Sequence, residues 1–188
     1  MKIGVISDTH GSLAAWQKAM AGPLKDVDLI IHAGDVLYHG PRNPFPGRYG
    51  PADLAEAINN SPIPILIARG NCDSEVDQVV LTPPLQSPYL FVQEGGLRIL
   101  ATHGHNTPLD EQVILAQYYK AQIVISGHTH IPHLERRDDI LLLNPGSLAL
   151  PKQQSGKATL AIIAGDLVRI VELDSQVEIY KERIIGHS

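Results

Sequence analysis

A chain of 188 residues, 44% of them apolar, can bury one substantial core, and its length favours a single domain over residues 1–188. Its formal net charge of −5 leaves no basic face for a run of nucleic-acid phosphates, so long duplex DNA or RNA is not an expected partner. One cysteine, Cys72, excludes an intrachain disulfide and fits a reducing cytoplasm, the expected location.

Met1-Lys2-Ile3-Gly4-Val5-Ile6-Ser7-Asp8 runs directly into a strand pattern, so no leader peptide is expected. No apolar run approaches the roughly 20 residues of a membrane helix, so no membrane partner is expected either. Short β-branched runs separated by helical stretches predict α/β layering. Lys2 to Ser7 reads as a strand, and Leu13, Trp16, Ala19 and Met20 then recur at helical spacing behind a Ser12 cap. Asp28 to Ala33 reads as a second strand. Gly50-Pro51 opens a helix with Leu54, Ala55 and Ile58 as its apolar stripe, because proline suits the first helical position. Ile63 to Ala68 reads as a third strand. Between these, Val36 to Gly50 carries Gly40, Pro41, Pro44, Pro46 and Gly47 without periodicity, which predicts a long ordered loop.

In the second half, Tyr89 to Gln93 and Leu97 to Thr102 flank Glu94-Gly95-Gly96 and read as a hairpin. Thr107-Pro108-Leu109-Asp110 reads as a capped helix start running toward Tyr119. Gln122 to Ser126, Ile140 to Leu143, Leu160 to Ala164 and Leu167 to Leu173 read as strands, the last two joined by a tight Gly165-Asp166 turn. A second, more antiparallel sheet is expected from this half.

The chemistry-bearing residues fall where the strands stop. Asp8-x-His10 follows the first strand, at the carboxyl edge where open α/β sheets hold their ligands. Gly34-Asp35 closes the second strand and Gly70-Asn71-Cys72-Asp73 the third. Thr102-His103-Gly104-His105 and Gly127-His128-Thr129-His130 end two further apolar runs. Each motif alone describes an ordinary turn. Together they assemble imidazole, carboxylate and amide donors without thiolate, which suits Mn, Fe, Ni or Zn better than an iron–sulfur cluster. His32, inside the second strand, reads as a structural residue, and His133 and His187 as surface positions.

The order Asp8-x-His10, Gly34-Asp35, Gly70-Asn71-x-Asp73, His103 and Gly127-His128-x-His130 resembles the calcineurin-like metallophosphoesterases. Gly34-Asp35-Val36-Leu37-x-His39-Gly40-Pro41-Arg42-Asn43, together with Gly70-Asn71-Cys72-Asp73-Ser74-Glu75-Val76-Asp77, looks like the YfcE group of bacterial phosphodiesterases within that family. Asn144-Pro145-Gly146-Ser147 extends the likeness toward the C-terminus. The resemblance implies a four-layer α/β/β/α sandwich of two mixed sheets. It implies one metal held by Asp8, His10 and His130, another by Asn71, His103 and His128, and Asp35 bridging them. Two such divalent ions, about 3.5 to 4 Å apart, activate a bridging hydroxide for attack on a small phosphodiester. Mn is the first expectation, with Fe, Ni or Zn as alternatives.

The same resemblance places Asn71, Cys72 and Asp73 in the catalytic group. Many relatives carry histidine where this chain has Cys72, and that histidine is thought to protonate the leaving group. A thiol of pKa near 8.5 matches this task poorly, so esters with good leaving groups are expected to turn over best, with His39 or His105 as substitute acids. His39, Arg42 and Asn43 follow Asp35 closely and are expected to meet the substrate. Phosphomonoesterase activity is the nearest rival, and a protein-assembly scaffold with a degraded metal site the rival of another class. Nuclease activity is disfavoured because the chain has no basic tract. The sequence leaves room for a homo-oligomer.

Overall fold

A computed structural model describes residues 1–185, so His187 lies outside the described residues. The first sheet is built on β1 (Lys2–Ile6), β2 (Leu29–His32) and β3 (Ile65–Ala68), which pair in parallel, Ile6 opposite His32 and His32 opposite Ile67. The helices between them are α1 (Leu13–Ala21) and α2 (Pro51–Asn59). Ser12 caps α1 by accepting from the Ala15 amide, and Pro51 opens α2, which buries Leu54, Ala55 and Ile58.

Two short elements that the periodicity does not reveal follow β3. The helix α3 (Glu75–Val80) buries no residue and is set by its Ser74–Asp77 capping box, and β4 (Leu85–Gln86) extends the sheet by one strand. The hairpin is β5 (Leu90–Glu94) and β6 (Leu97–Ala101), where Gly95 and Gly96, at φ of 56° and 85°, make the two-residue turn. Next comes α4 (Leu109–Tyr119). Its start differs from expectation: Pro108 is the cap residue and makes no side-chain bond, and the side-chain Nε2 of Gln112 donates to the Thr107 carbonyl.

The remaining strands are β7 (Ile123–Ile125), β8 (Pro132–Arg137), β9 (Ile140–Pro145), β10 (Thr159–Ala164), β11 (Leu167–Glu172) and β12 (Glu178–Arg183). The sheets run β12-β11-β10-β1-β2-β3-β4 and β5-β6-β7-β9-β8. The expectation of a second, more antiparallel sheet is therefore corrected in two ways. β6, β7 and β9 are mutually parallel, and the β10–β11 hairpin joins the first sheet beside β1. Burial explains the second point. Leu160 and Ile162 face the helices while Ala161 and Ile163 face the other sheet, and a strand apolar on both faces belongs inside a sheet.

Three apolar clusters separate four layers. Trp16, Leu54 and Ile58 pack on Ile6, Ile30 and Ile67 on one face of the first sheet. Between the sheets, Val5 and Ile31 meet Ile125 and Leu143. On the far side Ala116 of α4 covers Leu100, Val124 and Leu142. This is the expected α/β/β/α sandwich. Among the described residues, no helix is long and apolar enough to cross a membrane. His133 is exposed, as expected.

His32 is fully buried in β2, as its strand position predicts. The Thr9 hydroxyl donates to the Val36 carbonyl and lies 2.9 Å from His32 Nε2, so Nε2 carries the proton. Nδ1 accepts from the Gly34 amide at 3.1 Å. Burial therefore holds the imidazole neutral and pushes its pKa down from 6.5 to about 4. Because the folded value lies below the unfolded one, the unfolded chain takes up the extra proton and stability falls as pH drops from 6.5 toward 4. Between pH 7 and pH 5 the loss from this group should be about 2 kcal/mol. Urea unfolding at both pH values should show His32→Gln with a pH dependence smaller by about that amount. Identical pH dependence in the two proteins would refute this reading.

Candidate metal centre

The carboxyl ends of β1, β2, β3, β6 and β7 meet at one edge of the sandwich, and the loops that leave them carry the motif residues. Asp8 Oδ1 lies 3.6 Å from His10 Nε2 and 3.2 Å from His130 Nε2. Asp35 Oδ2 lies 3.9 Å from His10 Nε2 and 3.3 Å from His103 Nε2, and Asn71 Oδ1 lies 3.1 Å from the same His103 nitrogen. Potential ligand atoms of Asp8, His10 and His130 fall within 4.8 Å of one another, as do those of Asp8, Asp35 and His103 and those of His10, Asp35 and Cys72.

The outer hydrogen bonds fix how these groups present themselves. Nδ1 of His10, His130 and His103 lies 2.7, 2.6 and 2.7 Å from the carbonyls of Tyr38, Leu150 and Ala33. A carbonyl only accepts, so each Nδ1 carries hydrogen and each neutral ring offers Nε2 as a lone pair. The Nε2 atoms of His10 and His130 then face each other at 3.2 Å, an arrangement that is repulsive without positive charge between them. Asp8 tells the same story. Its Oδ2 accepts from the Ser7 hydroxyl at 2.6 Å and the His128 amide at 3.1 Å, whereas its buried Oδ1 has no hydrogen-bond partner. An orphaned carboxylate oxygen among inward-facing imidazoles is a donor set that could hold a divalent cation.

The electrostatics agree. Burial alone would push the His103 pKa down, but the Asp35 carboxylate beside it and the Asp8 charge carry it up to about 9. Burial likewise opposes and Asp8 favours the charged form of His10, which ends above its ordinary value. Asp35 is held below the usual carboxylate range, because bonds to His103 and the Cys72 amide outweigh its burial. The edge is thus a well of negative potential that collects positive charge.

The backbone is strained to build it. Nine non-glycine residues among those described have φ in the left-handed region, and five of them are Asp8, His10, Asp35, His128 and His130. Close approach does the rest. A Cβ on Gly70 would sit 2.2 Å from Asp35 Oδ1, and one on Gly127 would sit 2.1 Å from Ser7 Oγ, so both chains pass where only glycine fits.

The other expected site residues divide sharply. His128 is partly buried with its ring 5.2 Å from that of His103, and His105 is exposed on the rim, 5.4 Å from His103. Arg42 and Asn43 share a cavity of about 330 Å³ with Asp35, Asn71, Cys72, His128 and His130, so the 36–50 loop does reach the cluster. His39 does not line that cavity. It packs against Tyr38, Phe45 and Tyr49 at 4.4 to 5.3 Å, because the loop closes on its own aromatic side chains. Asp73 is close by but turned away: its oxygens accept from the amides of Asp35, Val36 and Gly70 at 2.9, 2.7 and 2.7 Å. Cys72 keeps its proton, since burial and the Asp35 charge push the thiol up to about 12. Lys152, in the segment after β9, lines the same cavity and belongs to no motif. The Asn144-Pro145-Gly146-Ser147 turn was its only signpost. Asn144 donates to the Gly127 carbonyl at 2.7 Å and Ser147 to the Asp8 carbonyl at 2.8 Å, so this turn buttresses the centre.

Four-layer sandwich and edge-bound donor cluster together define a metallophosphoesterase architecture, and the calcineurin-like phosphoesterase superfamily domain matches residues 1–171. The chain belongs to this superfamily, whose members use divalent metals. Phosphodiesterase YfcE of Escherichia coli K12 is 36% identical over 177 residues, 94% of each chain. A solved structure of that phosphoesterase from E. coli matches with a TM-score of 0.86 at 34% identity, covering 98% of this chain and all of the other. Phosphodiesterase MJ0936 of Methanocaldococcus jannaschii is 29% identical over 153 residues, 78% of this chain and 83% of its own.

Proposed function

We propose that the chain, as one domain over residues 1–188, is a phosphodiesterase that hydrolyses a small phosphodiester at two divalent ions. Asp8, His10 and His130 would hold one ion, and Asn71, His103 and His128 the other. Asp35 would serve both, since its Oδ2 lies between His10 at 3.9 Å and His103 at 3.3 Å. The observation that carries the reading is the orphaned Asp8 Oδ1 facing two imidazole nitrogens, and the two relatives called phosphodiesterases support the reaction class. When bound, the ions supply Lewis acidity that activates water and offsets the charge of the phosphoryl oxygens.

The chain's own residues set the rest. Asp35 keeps its charge at neutral pH, held by His103 and the Cys72 amide. Asp73 positions Asp35 through its backbone rather than touching substrate. Neither Cys72, with its thiol pushed up to about 12, nor His105, pulled below its ordinary value by partial burial and the His103 and His128 charges, is a ready acid at pH 7. Leaving groups stable as anions are therefore the natural partners of this site. The net charge of −5 argues against duplex nucleic acid, and a cytoplasmic setting suits an enzyme with a free thiol beside its site. Mn is the first metal to try, ahead of Fe, Ni and Zn.

Mn-loaded protein should hydrolyse bis(p-nitrophenyl) phosphate faster than p-nitrophenyl phosphate, and chelation should remove both activities. Turnover of the monoester alone would make the protein a phosphomonoesterase. Metal-dependent turnover of neither would leave an assembly scaffold as the better reading.

A further inference from the structure

The cavity of about 330 Å³ beside the centre holds more positive charge than a diester phosphoryl group requires. Arg42 reaches it from the 36–50 loop and Lys152 from the segment after β9. Arg69, Arg136, Arg137, Lys157 and Arg183 each have a carboxylate partner, whereas Lys2, Arg48, Arg98 and Lys120 have none among the described residues but do not line this cavity. Arg42 and Lys152 have none among the described residues, although acids outnumber bases in the chain, 20 to 15. The lining is otherwise polar or compact: Gly40, Pro41, Asn43 and the cluster residues. Its only aromatic rings belong to His128 and His130, both among the candidate metal ligands, and its volume is at the small end for ligand sites.

We infer that Arg42 and Lys152 form an anion-reading pair and that the substrate is a phosphodiester whose organic arm carries a second anionic group, a carboxylate or a phosphate. The inference rests on the phosphodiesterase reading above and deepens it. A diester phosphoryl group carries a single negative charge, which the metal centre answers, and that leaves the guanidinium and ammonium groups for another anion. The Lys152 side chain is free for this task because its main chain does the structural work, its amide donating to the His130 carbonyl at 3.2 Å. Side-chain replacement there keeps that bond.

The test uses two p-nitrophenyl phosphodiesters with one leaving group and arms that differ only in charge, carboxyethyl against its uncharged methyl ester. With Mn-loaded wild type, kcat/KM should favour the carboxylate about tenfold, chiefly through KM, and the preference should shrink as salt rises. Lys152→Ala and Arg42→Ala should each cut it to about threefold, and Lys152→Glu should remove it. A wild-type ratio near one, with brisk metal-dependent hydrolysis of both esters, overturns the inference and leaves the phosphodiesterase standing. A strong preference untouched by these substitutions overturns the role of the pair. Hydrolysis of neither ester overturns the phosphodiesterase reading and the inference with it.

Discussion

Asp35→Asn should lower metal-dependent diester turnover about a thousandfold, roughly 4 kcal/mol of barrier. The change is nearly isosteric, and an amide oxygen can still accept from the Cys72 amide that now binds Oδ1 at 2.8 Å. What disappears is the negative charge between His10 and His103. Metal content after dialysis should fall together with activity. A readout independent of turnover follows from the same geometry: in metal-stripped protein the His103 imidazole, carried up to about 9 chiefly by Asp35 against its burial, should titrate at lower pH in the variant. An Asp35→Asn protein that keeps turnover within tenfold of wild type, or whose His103 titrates unchanged, would remove Asp35 from the centre.

Asp73→Ala should cost about 3 to 5 kcal/mol of stability, because three buried backbone amides lose their acceptor together. Those amides belong to Asp35, Val36 and Gly70, so one carboxylate ties the loop after β2 to the loop after β3. Asp73→Asn keeps one acceptor oxygen but turns an NH2 group toward an amide, and should fall between wild type and Ala. Denaturant midpoints at pH 7 measure both. A loss below about 1 kcal/mol in Asp73→Ala would mean that the loops hold without the clamp.

Much of the candidate site is legible in the sequence, and the reason is local. A strand that stops at Asp-x-His or Gly-His announces its end and its donors, so Asp8, His10, Asp35, His103, His128 and His130 read as strand-end residues, and the family resemblance supplies their grouping. Which way a side chain turns there was not legible. Asp73 sits two residues from Asn71 yet points at amides, and His39, inside the motif stretch, is taken up by Phe45 and Tyr49. Lys152 gives no sequence signal, because nothing in its neighbourhood repeats or caps. Among the elements, a hairpin such as β10–β11 is easily read, but its sheet is decided by long-range burial of alternate faces. β8 and β12 escaped because both are rich in charge, PHLERR and EIYKER, as exposed edge strands tend to be.

The bond from the His128 amide to Asp8 spans 120 positions of chain. The first four candidate donors hang from one sheet and the last three from the other, so the candidate site is complete only where both sheets have docked. Closing so wide a loop is an entropic debt that the apolar layers must settle beforehand. A divalent ion bound there would tie the two halves together and add to the stability of the docked fold.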